Sequence, residues 1–254
     1  MKRLIVANWK MHFGPSQATV LMGKLEAAIE PNPEVTVVLC PPAIDLFGLA
    51  ADAQKSQFKL GAQNLYFEDE GAFTGEISGP MLQGLADYVI VGHSERRRVF
   101  GEDDQLVAKK VAAAIRNQLI PILCIGENLT QRESHLAEKV VVDQLTAAVH
   151  GLGPEDLAKL VVAYEPVWAL STSANGHAAR PSDVEPMMKL IITTLARRYG
   201  SEMIGSVKLL YGGSVDGDDA RGFLELPDVD GLLVGGASLI ADSFAKIVAA
   251  AQSL

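Results

Sequence analysis

Eight short apolar runs, each followed by a longer stretch of helical pattern, constrain the fold of this chain most strongly. Their apolar residues run continuously instead of alternating with polar ones, which is typical of parallel strands buried on both faces. The pattern predicts strands at residues 4–7, 35–39, 59–62, 88–91, 120–124, 160–163, 207–210 and 231–234. Among the helices it predicts are residues 17–29, 104–117, 137–149, 183–199 and 243–252.

About eight strand–helix units in 254 residues predict an α/β fold of the (β/α)8 barrel class, with residues 1–254 forming one domain. The alternative is an open, doubly wound sheet, which normally carries a Gly-x-Gly-x-x-Gly turn after its first strand. The first strand here ends in Asn8-Trp9-Lys10, without those glycines. The barrel is therefore the favoured architecture.

Charge and cysteine content argue against several classes of partner. A net charge of −9 disfavours nucleic acid and anionic membranes, although one lysine or one helix N-terminus can still hold an anionic substrate. Cys40 and Cys124 are too few for a disulfide framework and lack metal-ligand spacing, which favours a reducing cytoplasm.

The N-terminus turns polar too early for a signal peptide, and no apolar run approaches the roughly 20 residues of a membrane span. Since no metal cluster or dinucleotide motif is present, no cofactor is expected.

The sixth predicted strand ends directly in a carboxylate, Glu165. Pro166 then prevents the chain from continuing as a central strand. Trp168, Ala169 and Leu170 put apolar residues where a loop would ordinarily be polar. A carboxylate beneath an apolar cover suits a general base. Taken alone, the segment also fits an ordinary strand exit with Glu165 in solvent, so the other strand ends decide between the two.

In a barrel, the residues just past the carboxyl ends of the strands converge on one face. Five strands are followed there by residues of chemical interest, namely Asn8 and Lys10, His93, Glu165, Gly212-Gly213-Ser214, and Gly235-Gly236. Each has a plain structural alternative, such as a surface lysine, a core histidine or a simple glycine turn. Their joint occurrence at the strand ends of one barrel favours an active site.

Together these residues predict proton transfer next to the carbonyl group of a small phosphorylated sugar. The glycine-rich turns and Ser214 would bind a phosphate through backbone N–H groups. Lys10 would supply positive charge for the phosphate and for a developing oxyanion. Glu165 would take a proton from carbon as general base. A neutral His93, at the start of a helix beginning near Ser94, would donate a hydrogen bond to the carbonyl oxygen.

Eight segments, in order along essentially the whole chain, resemble the triosephosphate isomerase family. They are Asn8-Trp9-Lys10-Met11, Gly61-Ala62-Gln63-Asn64, Gly75-Glu76-Ile77-Ser78, Val91-Gly92-His93-Ser94-Glu95-Arg96-Arg97, Cys124-Ile125-Gly126-Glu127, Tyr164-Glu165-Pro166-Val167-Trp168-Ala169, Tyr211-Gly212-Gly213-Ser214 and Leu233-Val234-Gly235-Gly236-Ala237-Ser238. The resemblance implies interconversion of dihydroxyacetone phosphate and D-glyceraldehyde 3-phosphate through an enediolate, a step of glycolysis and gluconeogenesis. It implies Glu165 as the base, His93 as the electrophile, Asn8 and Lys10 as substrate-binding residues, and Glu95 as the carboxylate that holds Lys10.

The segment Gly71-Ala72-Phe73-Thr74-Gly75-Glu76 resembles the family's dimer loop, which inserts into the neighbouring subunit. The resemblance implies a homodimer in which Thr74 approaches the other subunit's active site. The alternative is a solvent loop, for which Ala72 and Phe73 are poorly suited.

The chain departs from the family in the lid that follows Glu165. Where the family usually reads Ala-Ile-Gly-Thr-Gly-Lys, this chain reads Ala169-Leu170-Ser171-Thr172-Ser173-Ala174, and the stretch before the next helix is about two residues longer. In the family, the backbone N–H at the position of Ser171 closes onto the phosphate, and serine retains that group. Serine tolerates a positive φ less well than glycine, so such a conformation at Ser173 would oppose closure by about 1–3 kcal/mol.

Alternatively, Gly176 and the extra length move the hinge and remove this cost. With the cost in place, we expect a leakier lid that releases more methylglyoxal than a lid with glycines. Two other functions remain open from the sequence. One is another phosphosugar isomerase or lyase on the same barrel, and the other is a catalytically altered or non-catalytic homologue.

Overall fold

Eight parallel strands close into a barrel in the computed structural model, which describes residues 2–170 and 178–254. The strands are β1 Arg3–Asn8, β2 Val35–Cys40, β3 Lys59–Ala62, β4 Tyr88–Val91, β5 Ile120–Ile125, β6 Val161–Tyr164, β7 Lys208–Tyr211 and β8 Gly231–Val234. Each strand pairs with the next along the chain, and β8 pairs with β1. The predicted (β/α)8 barrel is confirmed.

The sixth and seventh strands begin and end one residue later than the sequence predicts. Leu160 and Val207, which were expected to start them, instead close the preceding turns through backbone hydrogen bonds to Leu157 O (2.9 Å) and Ile204 O (3.0 Å). The other predicted strands match the observed bounds within one residue.

Helices surround the barrel between the strands. They are α1 Pro15–Ala28, α2 Ala43–Ala53, α3 Gly79–Leu82, α4 Ser94–Phe100, α5 Asp104–Arg116, α6 Leu129–Glu133, α7 Ala137–Ala148, α8 Pro154–Leu157, α9 Pro181–Tyr199, α10 Ser201–Ile204, α11 Ala220–Leu224 and α12 Ala241–Gln252. Short 3₁₀ turns occupy Val167–Ala169 and Gly236–Leu239. The five helices named from the sequence are present with ends within two residues of prediction. Across the described ranges, no helix has both the length and the apolar character needed to cross a bilayer.

Side-chain alternation along the strands divides the apolar core into two clusters, because successive residues of a strand point to opposite faces. The smaller cluster fills the barrel interior with Leu4, Val6, Val38, Cys40, Ile90, Ile122, Cys124, Val161, Ala163, Leu210 and Leu233. The larger cluster lies between the sheet and the helices and includes the alternate residues Ile5 and Ala7. Both faces of every strand are therefore covered, which explains the continuous apolar runs in the sequence.

Barrel closure depends on an especially close approach between the last and the first strand. A Cβ atom on Gly231 would lie 1.8 Å from the backbone oxygen of Leu4, so only glycine fits there. The N–H of Leu4 donates to Asp230 O at 3.0 Å at the same junction.

Candidate active site

A cavity of about 360 Å³ opens at the carboxyl ends of the strands. It is lined by all nine residues singled out at the strand ends, Asn8, Lys10, His93, Glu165, Gly212, Gly213, Ser214, Gly235 and Gly236. They come from the ends of β1, β4, β6, β7 and β8, as expected where the strand ends of a barrel converge. Residues far apart in the chain therefore share one concave surface.

Glu165 is buried beneath this surface, with 2% of its area exposed. The backbone N–H of Ser94 donates to its Oε2 at 2.9 Å. Its Oε1 lies 3.1 Å from Nε2 of His93. The alternative of an ordinary strand exit with Glu165 in solvent is therefore wrong. The carboxylate has a defined place, bonded to two donors at the end of β4.

His93 presents Nε2 to this carboxylate because its other ring nitrogen is already engaged. The backbone N–H of Glu95, in the first turn of α4, donates to Nδ1 at 3.2 Å. A ring nitrogen that accepts a hydrogen bond carries no proton, so the proton of a neutral imidazole sits on Nε2. His93 can therefore donate from Nε2 toward the cavity.

Lys10 is held in a left-handed backbone conformation, with φ of +51°, that non-glycine residues rarely adopt. Its N–H donates to Asn8 Oδ1 at 3.0 Å, and Gln63 Nε2 donates to its carbonyl at 2.8 Å. Its Nζ donates to Glu95 Oε1 at 2.7 Å. Partial burial acts to raise the pKa of Glu95, but this hydrogen bond and nearby positive charges hold it below the ordinary value. These contacts fix both the backbone and the ammonium group of Lys10.

The glycine turns after β7 and β8 line the far side of the cavity. A Cβ on Gly235 would lie 3.3 Å from Lys10 Cε, so the lysine side chain lies against this turn. Asp216 and Asp219 also line the cavity beside Ser214, and partial burial raises the pKa of Asp219. These two carboxylates were not predicted from the sequence, although they follow the same strand end as Gly213.

A second buried carboxylate, Glu127, was quoted within a motif but given no role. It follows β5 and is fully buried. It accepts hydrogen bonds from Tyr164 Oη (3.1 Å), Trp168 Nε1 (2.7 Å) and Arg132 Nη1 (3.0 Å). The Arg132 guanidinium also lies 4.3 Å from the centre of the Trp168 ring. The chain just after Glu165 is thereby anchored to β5, and the strand-end rule applied to β5 would have pointed to Glu127.

A neighbouring cavity of about 330 Å³ lies on the other side of Lys10 and Asn8. Gly75 and Glu76 line it, together with Met11 and Phe100, which are 94% and 66% exposed. Thr74 is exposed in the same loop and is not among the lining residues of the first cavity.

The lid residues discussed from the sequence, Ser171, Thr172, Ser173, Ala174 and Gly176, lie outside the described residues. In the ranges that are described, no group of three or more His, Cys, Asp or Glu side chains is arranged to hold a metal ion. Cys40 and Cys124 are free thiols inside the barrel, and burial raises the pKa of both.

Comparisons with known proteins agree along nearly the full length of the chain. A family model described as triosephosphate isomerase matches residues 3–251. The triosephosphate isomerase of Caldanaerobacter subterraneus subsp. tengcongensis is 46% identical over 250 residues, covering 98% of this chain and 99% of the relative. That of Chloroflexus aurantiacus is 46% identical over 246 residues, covering 96% and 97%. That of Clostridium tetani is 43% identical over 248 residues, covering 97% and 96%.

Proposed function

This chain belongs to the triosephosphate isomerase family and is an isomerase, and we propose that it interconverts dihydroxyacetone phosphate and D-glyceraldehyde 3-phosphate through an enediolate. The proposal rests chiefly on one observation, the Glu165 carboxylate 3.1 Å from Nε2 of His93 in a cavity shared with Lys10. A base, a hydrogen-bond donor and a cation at one concave surface are the groups that an aldose–ketose isomerisation needs.

The substrate phosphate would bind at the glycine turns after β7 and β8. Backbone N–H groups near Ser214, Gly235 and Gly236 would bind its oxygens, as at other barrel phosphate sites. Lys10, which lies against Gly235, would offset part of the negative charge. The carbonyl end of the substrate would then point toward the ends of β4 and β6.

Proton transfer would begin with Glu165 leaving its present partners. Both carboxylate oxygens are engaged, one with the Ser94 N–H and the other with His93. Bound substrate would take over the hydrogen bond from His93 Nε2 through its carbonyl oxygen, and Glu165 would remove a proton from the adjacent carbon. Lys10 would stabilise the enediolate oxygen. The hydroxyl proton on the neighbouring oxygen would pass to the former carbonyl oxygen through His93 Nε2, and Glu165 would return its proton to the neighbouring carbon, which gives the other triose.

A coupled isomerase assay of the wild type beside Glu165→Asp tests this assignment. Shortening the side chain by one methylene group withdraws the base by roughly 1 Å, which costs on the order of 100-fold in kcat. Glu155→Asp, at an exposed position of α8, is the matched control and should retain wild-type kinetics. A wild-type rate in Glu165→Asp would show that another group is the base.

We also propose a homodimer, in which the loop carrying Thr74 enters the second cavity of a partner. The proposal is supported by apolar side chains left exposed around that cavity. Met11 and Phe100 line it, and Phe47, one helical turn beyond the lining residue Ala43, is 80% exposed. Light scattering after gel filtration should give twice the chain mass of 27.1 kDa. Thr74→Arg should lower that mass, and a monomeric wild type would contradict the proposal.

A cytoplasmic location is proposed as well. It is supported by the free, buried thiols of Cys40 and Cys124, which suit a reducing compartment. Cell fractionation with an antibody against the protein tests it, and recovery in an extracellular fraction would contradict it.

A further inference from the structure

We propose that Gln144, in the helix layer outside the barrel, is a positioning residue for the general base Glu165. The inference rests on the proposed isomerase function and adds a residue to that site. Gln144 lies in α7 and binds both backbone groups of Gly126, the residue that follows β5. The N–H of Gly126 donates to its Oε1 at 2.8 Å, and its Nε2 donates to the carbonyl of Gly126 at 3.4 Å.

Gly126 is in direct contact with the backbone of the base. A Cβ atom there would lie 1.8 Å from the carbonyl oxygen of Glu165 and 2.6 Å from its carbonyl carbon. The two backbones therefore touch with no room for a side chain between them. Any shift of the Gly126 peptide is transmitted to the residue that carries the catalytic carboxylate.

Hydrogen bonds on both sides of Gly126 tie the same two segments together. The N–H of Glu165 donates to Ile125 O at 2.8 Å, and the N–H of Val167 donates to Glu127 O at 3.0 Å. Residues 125–127 therefore run alongside residues 165–167 as an extension of the β5–β6 pairing. Gln144 holds the middle of this extension from the opposite side.

The helix that carries Gln144 is itself firmly placed. Val141, Leu145 and Ala148 are buried neighbours on α7, and they belong to the apolar cluster between the sheet and the helices. Gln144 thus connects the Glu165 backbone to the packed helix layer. A side chain with one acceptor and one donor at its end matches the N–H and the C=O of a single residue.

The phosphate-binding turns are expected to be independent of this contact. Ser214 and Gly235 follow β7 and β8, whereas Gln144 acts at the ends of β5 and β6. Loss of Gln144 should therefore slow proton transfer while leaving substrate binding nearly intact. A merely structural role would instead lower the active fraction and the thermal stability without changing the chemical step.

The experiment compares Gln144→Met, Gln144→Glu and the neighbouring surface variant Asp143→Asn in steady-state isomerase assays. Gln144→Met keeps the length and removes both hydrogen bonds, so kcat should fall about tenfold with KM changed less than about twofold. Its primary isotope effect, with glyceraldehyde 3-phosphate deuterated at C2, should rise because proton abstraction becomes slower. Gln144→Glu keeps the acceptor for the Gly126 N–H and should stay within about threefold of wild type. Asp143→Asn, whose exposed side chain pairs only with Lys139 among the described residues, should match wild type.

Three results would overturn the inference. These are an unchanged kcat in Gln144→Met, an equal fall in Gln144→Met and Gln144→Glu, or a fall in kcat with an unchanged isotope effect. Should Gln144→Met fail to fold, Gln144→Asn takes its place. The shorter asparagine side chain cannot reach both backbone groups of Gly126, so it should show the same fall in kcat and the same rise in the isotope effect. Absence of isomerase activity in the wild type would instead refute the proposed function, so the two failures are distinguishable.

Discussion

Replacing Gly126 by alanine tests directly its backbone contact with Glu165, the proposed general base. The added Cβ would lie 1.8 Å from the carbonyl oxygen of Glu165, where an ordinary contact needs about 3.4 Å. The two backbones must therefore separate by about 1.6 Å. If Glu165 moves, a displacement of this size at the base costs on the order of 100-fold in kcat. The strain should also destabilise the fold by about 1–3 kcal/mol, which corresponds to roughly 2–10 °C in Tm.

The assay is a coupled isomerase measurement of kcat and KM, with Tm followed by circular dichroism. Gly151→Ala is the matched control, because a Cβ at Gly151 meets nothing within 4 Å. We expect Gly126→Ala to lose kcat far more than its folded fraction explains, and Gly151→Ala to retain wild-type activity. A Gly126→Ala enzyme with wild-type kcat and wild-type Tm would refute the reasoning.

Three further predictions concern the phosphate side, the lysine partner and the lid. Asp219→Asn removes negative charge beside the proposed phosphate-binding turns. The KM for triose phosphate should therefore fall on the order of threefold at low salt and less at high salt. The control Asp218→Asn should change KM less. The pKa of Glu95 is held below its ordinary 4.5 in the folded protein. The ionised Glu95 carboxylate therefore stabilises the fold fully above pH 4.5, and this stabilisation is lost as the pH falls through the lowered pKa of the folded state. Urea unfolding of Glu95→Gln should show a deficit against wild type at pH 7 that narrows below about pH 4. For the lid, Ser171→Gly combined with Ser173→Gly should lower the methylglyoxal fraction seen by proton NMR, and an unchanged fraction would contradict the proposed leak.

The strands were predictable because strands buried on both faces are continuous apolar runs in the sequence. β3, β4 and β8 have the expected bounds, since each is a short apolar run ended by glycine, asparagine or another loop residue. No bounds were predicted for helix α2, because its apolar residues lie on two sides. Leu46 and Leu49 are buried while Ile44 and Phe47 are exposed, so no single apolar stripe marks the helix. Helices of four or five residues, such as α3 and α6, are too short to show a period.

The convergence of Lys10, His93 and Glu165 was also predictable, because topology alone brings strand ends together. Apart from Glu95, which the family resemblance implied as the partner of Lys10, their hydrogen-bond partners were not predictable. The left-handed backbone of Lys10, and the bracket of Gln144 around Gly126, depend on which side chains from distant helices and strands face each other. These contacts join residues that are far apart in the chain, so local sequence spacing does not predict them.

The fit of Gly231 against Leu4 has a consequence for biosynthesis. Of the eight strands, β8, which completes the sheet, is synthesised last, and its partner β1 is synthesised first. Until β8 emerges from the ribosome, β1 and β7 both present unpaired backbone edges, which are sites for aggregation. A chain that stops before Gly231 would keep both edges open, and a side chain at that position would leave a full-length chain in a similar state. Much of the aggregation hazard is therefore concentrated in the interval between the synthesis of β7 and that of β8.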